Sequence, residues 1–390
     1  MRLLRLGDRG SAVAEVRMIL TSLGLLSDPD VLPTDHGWSP PTAEPVFDDD
    51  CDHAVRAFQQ QRGLIVDGIV GPATYRVLRE SSYHLGSRIL SFLVSAPMHG
   101  DDVATLQARL QNLGYYTSLI DSTFGENTHT ALTTFQHDYG MTPDGICGPK
   151  TLRSLNNLGT RVSGGSPHAI REEEHVRNSG PQLSGKRILI DPGNGGDHDL
   201  STGAIAERES AILWDLGRRI EGRMAAAGMQ TYLSRGEHQD PDDAERARVA
   251  NVVGADLVIC LRCAHYSSPA ANGVASFYFG NSHGSASAIG RSLSGFIQRE
   301  IVARTPLRDC RSHERTWDIL RLTRMPVSQI DVGYMSSPAD VELLSDPVLR
   351  DTIAEAILVA VKRVYLLGKN DRPTGTYTFA DLLASEHIAR

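Results

Sequence analysis

The feature that most constrains this chain is an internal repeat. Residues 54–78, AVRAFQQQRGLIVDGIVGPATYRVL, return at residues 131–155 as ALTTFQHDYGMTPDGICGPKTLRSL. Phe58, Gln59, Gly63, Asp67, Gly68, Gly71, Pro72, Thr74 and Leu78 recur in order as Phe135, Gln136, Gly140, Asp144, Gly145, Gly148, Pro149, Thr151 and Leu155. Upstream, AVAEVRMILTSLGLL matches DVATLQARLQNLGYY, with Val13, Leu20 and Gly24 over Val103, Leu110 and Gly114. The offset changes between the two blocks, so the first copy carries a longer loop, in the Pro- and Asp-rich stretch of residues 27–46. A repeat of this length is one supersecondary unit used twice.

Each unit reads as three short amphipathic helices around a small core. Val13, Val16, Leu20 and Leu23 fall at helical spacing, and Gly24 is placed to end that helix in a left-handed conformation. Ala54, Val55 and Phe58 mark a second helix. Asp-Gly then makes a turn, and Pro72 suits the first position of a third. At these residues both units resemble the peptidoglycan-binding domain type 1 family, over residues 6–80 and 97–156. That resemblance implies a shallow cleft for cell-wall peptide or glycan and no catalysis. Modules kept for packing or protein contact are the alternative.

Length and composition bound the remainder. A chain of 390 residues is long for one domain. A formal charge of −8 gives no reason to expect nucleic acid or an anionic membrane as partner. The opening MRLLRLGDRGSAVAEVRMIL has no apolar run of signal-peptide length, and no stretch has the continuous apolar length of a transmembrane segment. Five scattered cysteines read as reduced thiols, including the lone C-x-x-C of Cys260 and Cys263. The expectation is a cytoplasmic protein.

After a Gly/Ser-rich joint, strands alternate with helices in the manner of an α/β layer fold. Arg187 to Asp191 reads as a buried strand, and Ile212, Leu213, Leu216 and Ile220 as the inner face of a helix. Further strands are expected at ADLVICLRC, GVASFYFG and VSQIDVGYM. Over roughly residues 185–367 the phrases ILIDPGNGG, ERESAILWDLGRRI, YLSR…DDAERARVAN, GADLVICLRCAH and MPVSQIDVGYMSSPAD resemble the zinc-dependent N-acetylmuramoyl-L-alanine amidases of the amidase 3 family. The fold class expected is therefore multidomain: two all-α modules followed by an amidase-3-like α/β domain with a central, mostly parallel sheet. The boundaries are 1–82 and 83–158 for the modules, 159–184 for a linker, 185–368 for the amidase-like domain and 369–390 for a tail.

By resemblance, the family holds zinc with His, Glu and His and keeps a further Glu as base. Those positions fall here at Asn194, Glu209, Arg262 and Asp331. An amide oxygen is a poor zinc donor, a guanidinium has no lone pair to give, and aspartate falls about a bond length short of glutamate. No catalytic residue and no zinc are then expected. The alternative is a rebuilt metal site of His198, Glu209 and His265. With zinc gone, two carboxylates would face each other across a partly buried cavity, so Arg262 is expected to bridge Glu209, Asp331 or both.

The tail, DRPTGTYTFADLLASEHIAR, carries Thr374, Thr376 and Thr378, with Thr378 placed to cap a short helix whose third position is Asp381. A phosphate there adds close to two negative charges, and a solvated polar tail is the plainer reading. The whole architecture, with KRILIDPG, TWDILRLTRMP and LLGKNDRPTGTYTFADLL, is similar to the actinobacterial CwlM-type family. That resemblance implies a non-catalytic cytoplasmic regulator, phosphorylated on the tail by a Ser/Thr protein kinase. It also implies action on UDP-N-acetylglucosamine 1-carboxyvinyltransferase. Two readings stand beside it: a zinc amidase with the rebuilt site, and a sensor that binds a muropeptide or peptidoglycan precursor.

Overall fold

The computed structural model describes residues 3–27, 45–158, 167–193, 204–281, 284–366 and 377–388. Asn194, His198, Thr374 and Thr376 lie outside them. The chain divides into two compact units, Met1–Pro167 with Asn281–Ser285, and His168–Gly280 with Ala286–Arg390.

The first unit holds the two repeats. Copy one comprises α1 (Ser11–Ser22), α2 (Asp49–Arg62) and α3 (Pro72–Ser81); copy two comprises α4 (Asp101–Asn112), α5 (Glu126–Asp138) and α6 (Pro149–Asn156). Gly24 follows α1 at φ 72°, and Pro72 and Pro149 open α3 and α6. Each copy closes on its own apolar core, Val13, Leu20, Phe47, Phe58 and Leu78 in one, Val103, Leu110, Phe124, Phe135 and Leu155 in the other. Each also has two antiparallel bridges, Leu4 to Val70 and Arg9 to Val46 in the first, Leu90 to Cys147 and His99 to Thr123 in the second. Between the copies, Arg62 donates both terminal nitrogens to Asp101, at 3.1 and 2.7 Å.

The repeated signature residues are the ones that pin this frame. Gln59 Nε2 donates to Asp67 Oδ1 at 2.8 Å, the Ile69 carbonyl at 3.0 Å and Thr74 Oγ1 at 3.2 Å, and its Oε1 accepts from the Gly68 amide at 2.9 Å. Gln136 repeats the pattern on Asp144, Ile146, Thr151 and Gly145. A buried amide so fully bonded orders the turn around it. Gly68 and Gly145 need to be glycine twice over: φ is 76° and 67°, and a Cβ would stand 2.2 Å from Asp52 and 2.1 Å from His129.

The second unit is a three-layer α/β domain. In order it contains α7 (Pro167–Asn178), β1 (Arg187–Pro192), α8 (Ala204–Ala226), β2 (Gln230–Leu233), α9 (Asp243–Val253), β3 (Leu257–Ala264), β4 (Val274–Phe279) and α10 (Ala288–Arg304). There follow β5 (Asp309–Arg315), α11 (Asp318–Leu322), β6 (Val327–Tyr334), α12 (Pro338–Ser345), α13 (Pro347–Leu366) and α14 (Phe379–Ile388). The sheet order is β2-β1-β3-β6-β4-β5. Only the β4–β6 pairing is antiparallel, so the expected mostly parallel sheet is observed. Ile188 and Ile190 of β1, and Leu257, Ile259, Leu261 and Cys263 of β3, enter one core with α8, α10 and α13. The period of two along a strand sends Asp191 and Arg262 to the opposite face. Among the described residues no helix is long and apolar enough to cross a membrane.

Three expectations need correction. The stretch expected as a linker carries α7, whose Val176 joins the α/β core and whose Glu172 is buried. There Glu172 accepts from Ser287 Oγ at 2.9 Å and from the Ile289 amide at 3.2 Å, at the start of α10. Burial pushes the Glu172 carboxyl up to about 7, its hydrogen bonds opposing. The helical pattern was overlooked because Gly and Ser crowd the residues just before it. The strand β5 went unread because DCRSHER is polar and partly exposed, an edge strand without apolar alternation. Finally, the tail does not simply leave the fold: Tyr377 and Leu382 are buried against Val359 and Leu366.

Replacing Gln136 with Leu should strand the Gly145 amide and Asp144. The expected loss is about 1–3 kcal/mol in the second repeat, read as faster amide exchange across α5 with protection in β3 and β6 unchanged.

Candidate functional site

The carboxyl ends of β1, β3 and β6 lie side by side, the place where open α/β sheets receive ligands. Asp191, at the end of β1, is wholly buried. Arg262 Nη2 donates to its Oδ2 at 2.7 Å, and Arg246 Nη1 to its Oδ1 at 2.6 Å. The Ser234 hydroxyl donates to the same Oδ1. Burial alone would raise this carboxyl; Arg262, Arg246 and Ser234 together more than reverse that and bring it to about 2. Arg262 makes further bonds to the Leu261 carbonyl at 2.9 Å, the Asp191 carbonyl at 3.3 Å and Asp243 at 3.4 Å. Arg235 closes the cluster by donating to the Pro192 carbonyl.

Arg262 therefore does not bridge Glu209 and Asp331, contrary to expectation. Its Cα stands in register with Asp331 on the neighbouring strand, yet its guanidinium turns the other way, to Asp191 on β1. Asp191 is wholly buried on the same sheet face whereas Asp331 keeps partial exposure, so Asp191 left unpaired would be the costlier of these two. The Arg262 side chain is buried.

Glu209, early in α8, is wholly buried and meets His265 instead: Nε2 of the histidine lies 2.8 Å from Oε2. A register shift in β3 between Arg262 and Ala264 precedes this contact. Glu209 Oε1 is buried and has no hydrogen-bond partner among the described residues. Asp331 accepts a 3.4 Å hydrogen bond from Gln329. Burial raises its carboxyl to about 6; Gln329, Arg262 and Arg315 oppose the rise, and the Glu209 charge adds to it. Cys260 and Cys263 are both buried, and burial pushes both thiols well up. Lying on opposite faces of β3, they do not form a ligand pair.

Of the expected positions, the structure brings Glu209, His265 and Asp331 into one neighbourhood and commits Arg262 elsewhere. Sequence reasoning missed the roles of Asp191, Ser234, Arg235 and Arg246. The available signal was an aspartate ending an apolar strand, with arginines in the YLSR and ERARVAN phrases. The family's zinc site does not fit what stands here. Arg262 has no lone pair and is already bonded, and among the described residues no three His, Cys, Asp or Glu side chains are placed to hold a metal ion.

Two measurements follow. Arg262→Ala should destabilise the α/β unit by about 3–5 kcal/mol, the usual cost of breaking a buried ion pair on one side, read by denaturant unfolding at pH 7. The Asp331 pKa lies above its unfolded value near 4, so its neutral form is favoured in the fold. Its contribution is complete below pH 4 and is lost as pH rises through about 6. Asp331→Asn should then flatten the fall in melting temperature between pH 4 and 6, and an unchanged slope would refute the assignment.

Comparison with known proteins agrees with this architecture. The family model for N-acetylmuramoyl-L-alanine amidase (amidase 3) matches residues 188–363, and that for the putative peptidoglycan-binding domain matches residues 9–78 and 99–155. The N-acetylmuramoyl-L-alanine amidase CwlM of Mycobacterium tuberculosis is 63% identical over 388 residues, covering 98% of this chain and 94% of that protein. The probable cell wall amidase LytH of Staphylococcus epidermidis is 23% identical over 221 residues, 55% of this chain and 72% of that one. A crystal structure of an N-acetylmuramoyl-L-alanine amidase from Clostridium difficile 630 aligns with 48% of this chain and all of its own, at 21% identity and a TM-score of 0.42. With two peptidoglycan-binding-type modules ahead of an amidase-3 domain, and such identity along nearly its whole length, the chain belongs to the CwlM-type branch of the N-acetylmuramoyl-L-alanine amidase family.

Proposed function

We propose that this chain is a non-catalytic regulator of peptidoglycan biosynthesis built on an amidase fold. In this reading it works in the cytoplasm, is controlled by threonine phosphorylation in its tail, and acts on UDP-N-acetylglucosamine 1-carboxyvinyltransferase. One observation carries the loss of catalysis. The side chain at a zinc-ligand position is a guanidinium bonded into the fold through Asp191, so no small shift of the backbone returns a donor there.

The regulatory half rests on the tail and on the resemblance. Thr378 is exposed. Its hydroxyl donates to Asp381 Oδ2 at 2.8 Å and accepts from the Asp381 amide at 3.2 Å, the capping box expected at the start of α14. A hydroxyl at such a position is open to a kinase, and phosphate there alters the charge at a helix start. Thr374 and Thr376 belong to the same reading. The kinase and the carboxyvinyltransferase are proposed from family likeness.

A second reading is a zinc amidase with a rebuilt site, in keeping with the name of the mycobacterial relative. The Glu209–His265 contact and the unpartnered Glu209 Oε1 favour it, with His198 as the third donor. Metal analysis of the purified full chain separates the two. Less than a tenth of an equivalent of zinc and no muropeptide hydrolysis are expected. Stoichiometric zinc that is lost in His265→Ala, together with hydrolysis, would establish the second reading. Glutamates at Thr374, Thr376 and Thr378 should change activation of the purified carboxyvinyltransferase at least several-fold; indifference to them would remove the switch.

A further inference from the structure

The C-terminal helix lies in a groove that is made without it. Tyr377 and Leu382, 5% and 1% exposed, pack on Val359 and Leu366 of α13 in a small cluster of their own. Arg304 Nη2, from α10, donates to the Tyr377 carbonyl at 2.6 Å. The Arg363 guanidinium stands 5.7 Å from the Tyr377 ring centroid and 4.8 Å from that of Phe296. Both arginines are steadied from below by Glu300, which is wholly buried and ion-paired to each. The groove therefore has an apolar floor and a cationic rim held by helices that pack on each other, α10 on α13.

Its occupant is held along one face of the helix, the described residues of the other face being exposed. Ala380, Asp381, Leu383 and Ala384 of α14 face solvent, and among the described residues of the tail the large core of the unit takes only Phe379, as a partly buried neighbour. Leu366 and Tyr377 sit in one cluster, so the chain leaves α13 and returns to the same place. A short tether gives a weak docking contact a high effective concentration. The occupant also reads out what the groove accepts. An aromatic ring lies against a guanidinium, the carbonyl beside it takes an arginine N–H, and a leucine one turn into a capped helix fills the floor.

We propose that the groove between α10 and α13 is a docking surface for an amphipathic helix of a partner protein. That helix would carry an aromatic anchor just ahead of an acid-capped first turn, and α14 is its displaceable intramolecular stand-in. The helix-in-groove mode needs only such spaced anchors and a matching rim. This inference goes beyond the regulatory reading and stands or falls without it.

The test uses the full chain and a blocked, fluorescent peptide of residues 377–388. In the wild-type chain, amides of α14 should exchange at least tenfold faster than those of central α13, because the helix opens locally. The peptide should bind a full-length Tyr377→Ala/Leu382→Ala chain at least tenfold more tightly than the wild-type chain, whose groove is filled. The same peptide carrying Tyr377→Ala should lose that binding. Exchange of α14 only together with α13 would make the tail an integral part of the fold and overturn the proposal. So would equal peptide affinity for the two chains, or none for the opened one. If the double variant loses protection in β3 and β6, the exchange measurement on the wild-type chain decides.

Discussion

The Arg262–Asp191 ion pair is the interaction on which the arrangement of the α/β unit's ligand end depends. It ties β3 to β1 across the sheet face covered by α9, where both groups are removed from water. A carboxylate in such a place must be paired, and Arg246 and Ser234 complete the pairing. The consequences spread outward. The guanidinium is unavailable to Glu209 and Asp331, Glu209 turns to His265, and Asp331 is left with a weak neutral hydrogen bond and an elevated pKa. A single arginine thus decides both how the strand ends are held together and which partners are left to Glu209 and Asp331.

The two repeats show a similar division between frame and surface. Their shared motif is explained by folding, since Gln59 and Gln136 bind the turn that follows each second helix. Where the copies differ, they differ against that turn. Gly68 packs on the Asp52–Arg56 ion pair, while Gly145 packs on His129, whose ring lies 5.7 Å from Phe92. The same backbone therefore presents a charged face in one copy and an aromatic one in the other. Recognition of the family from its motif reports the frame, and says little about what either face binds.

The same caution applies to the α/β unit. A fold hosts a reaction only through the groups set on it. Here the amidase-3 frame persists while the side chains at its ligand end have been rewired into an internal charge network.

By itself the sequence determined the repeat, the module helices and the order of most strands, and it marked Asn194, Arg262 and Asp331 as departures from the pattern of the family it resembles. Those features are local or periodic: helix spacing, turn chemistry and strand runs are written in neighbouring residues. Only the tertiary structure decided which partner each charged group took. Arg262 was legible as a departure from the family's pattern, yet its choice of Asp191 over Asp331 depends on strand order, on the face each residue points to and on relative burial. The same is true of α7, whose Glu172 reaches the start of α10, and of α14, whose Tyr377 finds a groove made by two distant helices. Pairings between elements far apart in the chain carry no local pattern, because what selects them is the cost of leaving a buried charge or ring alone.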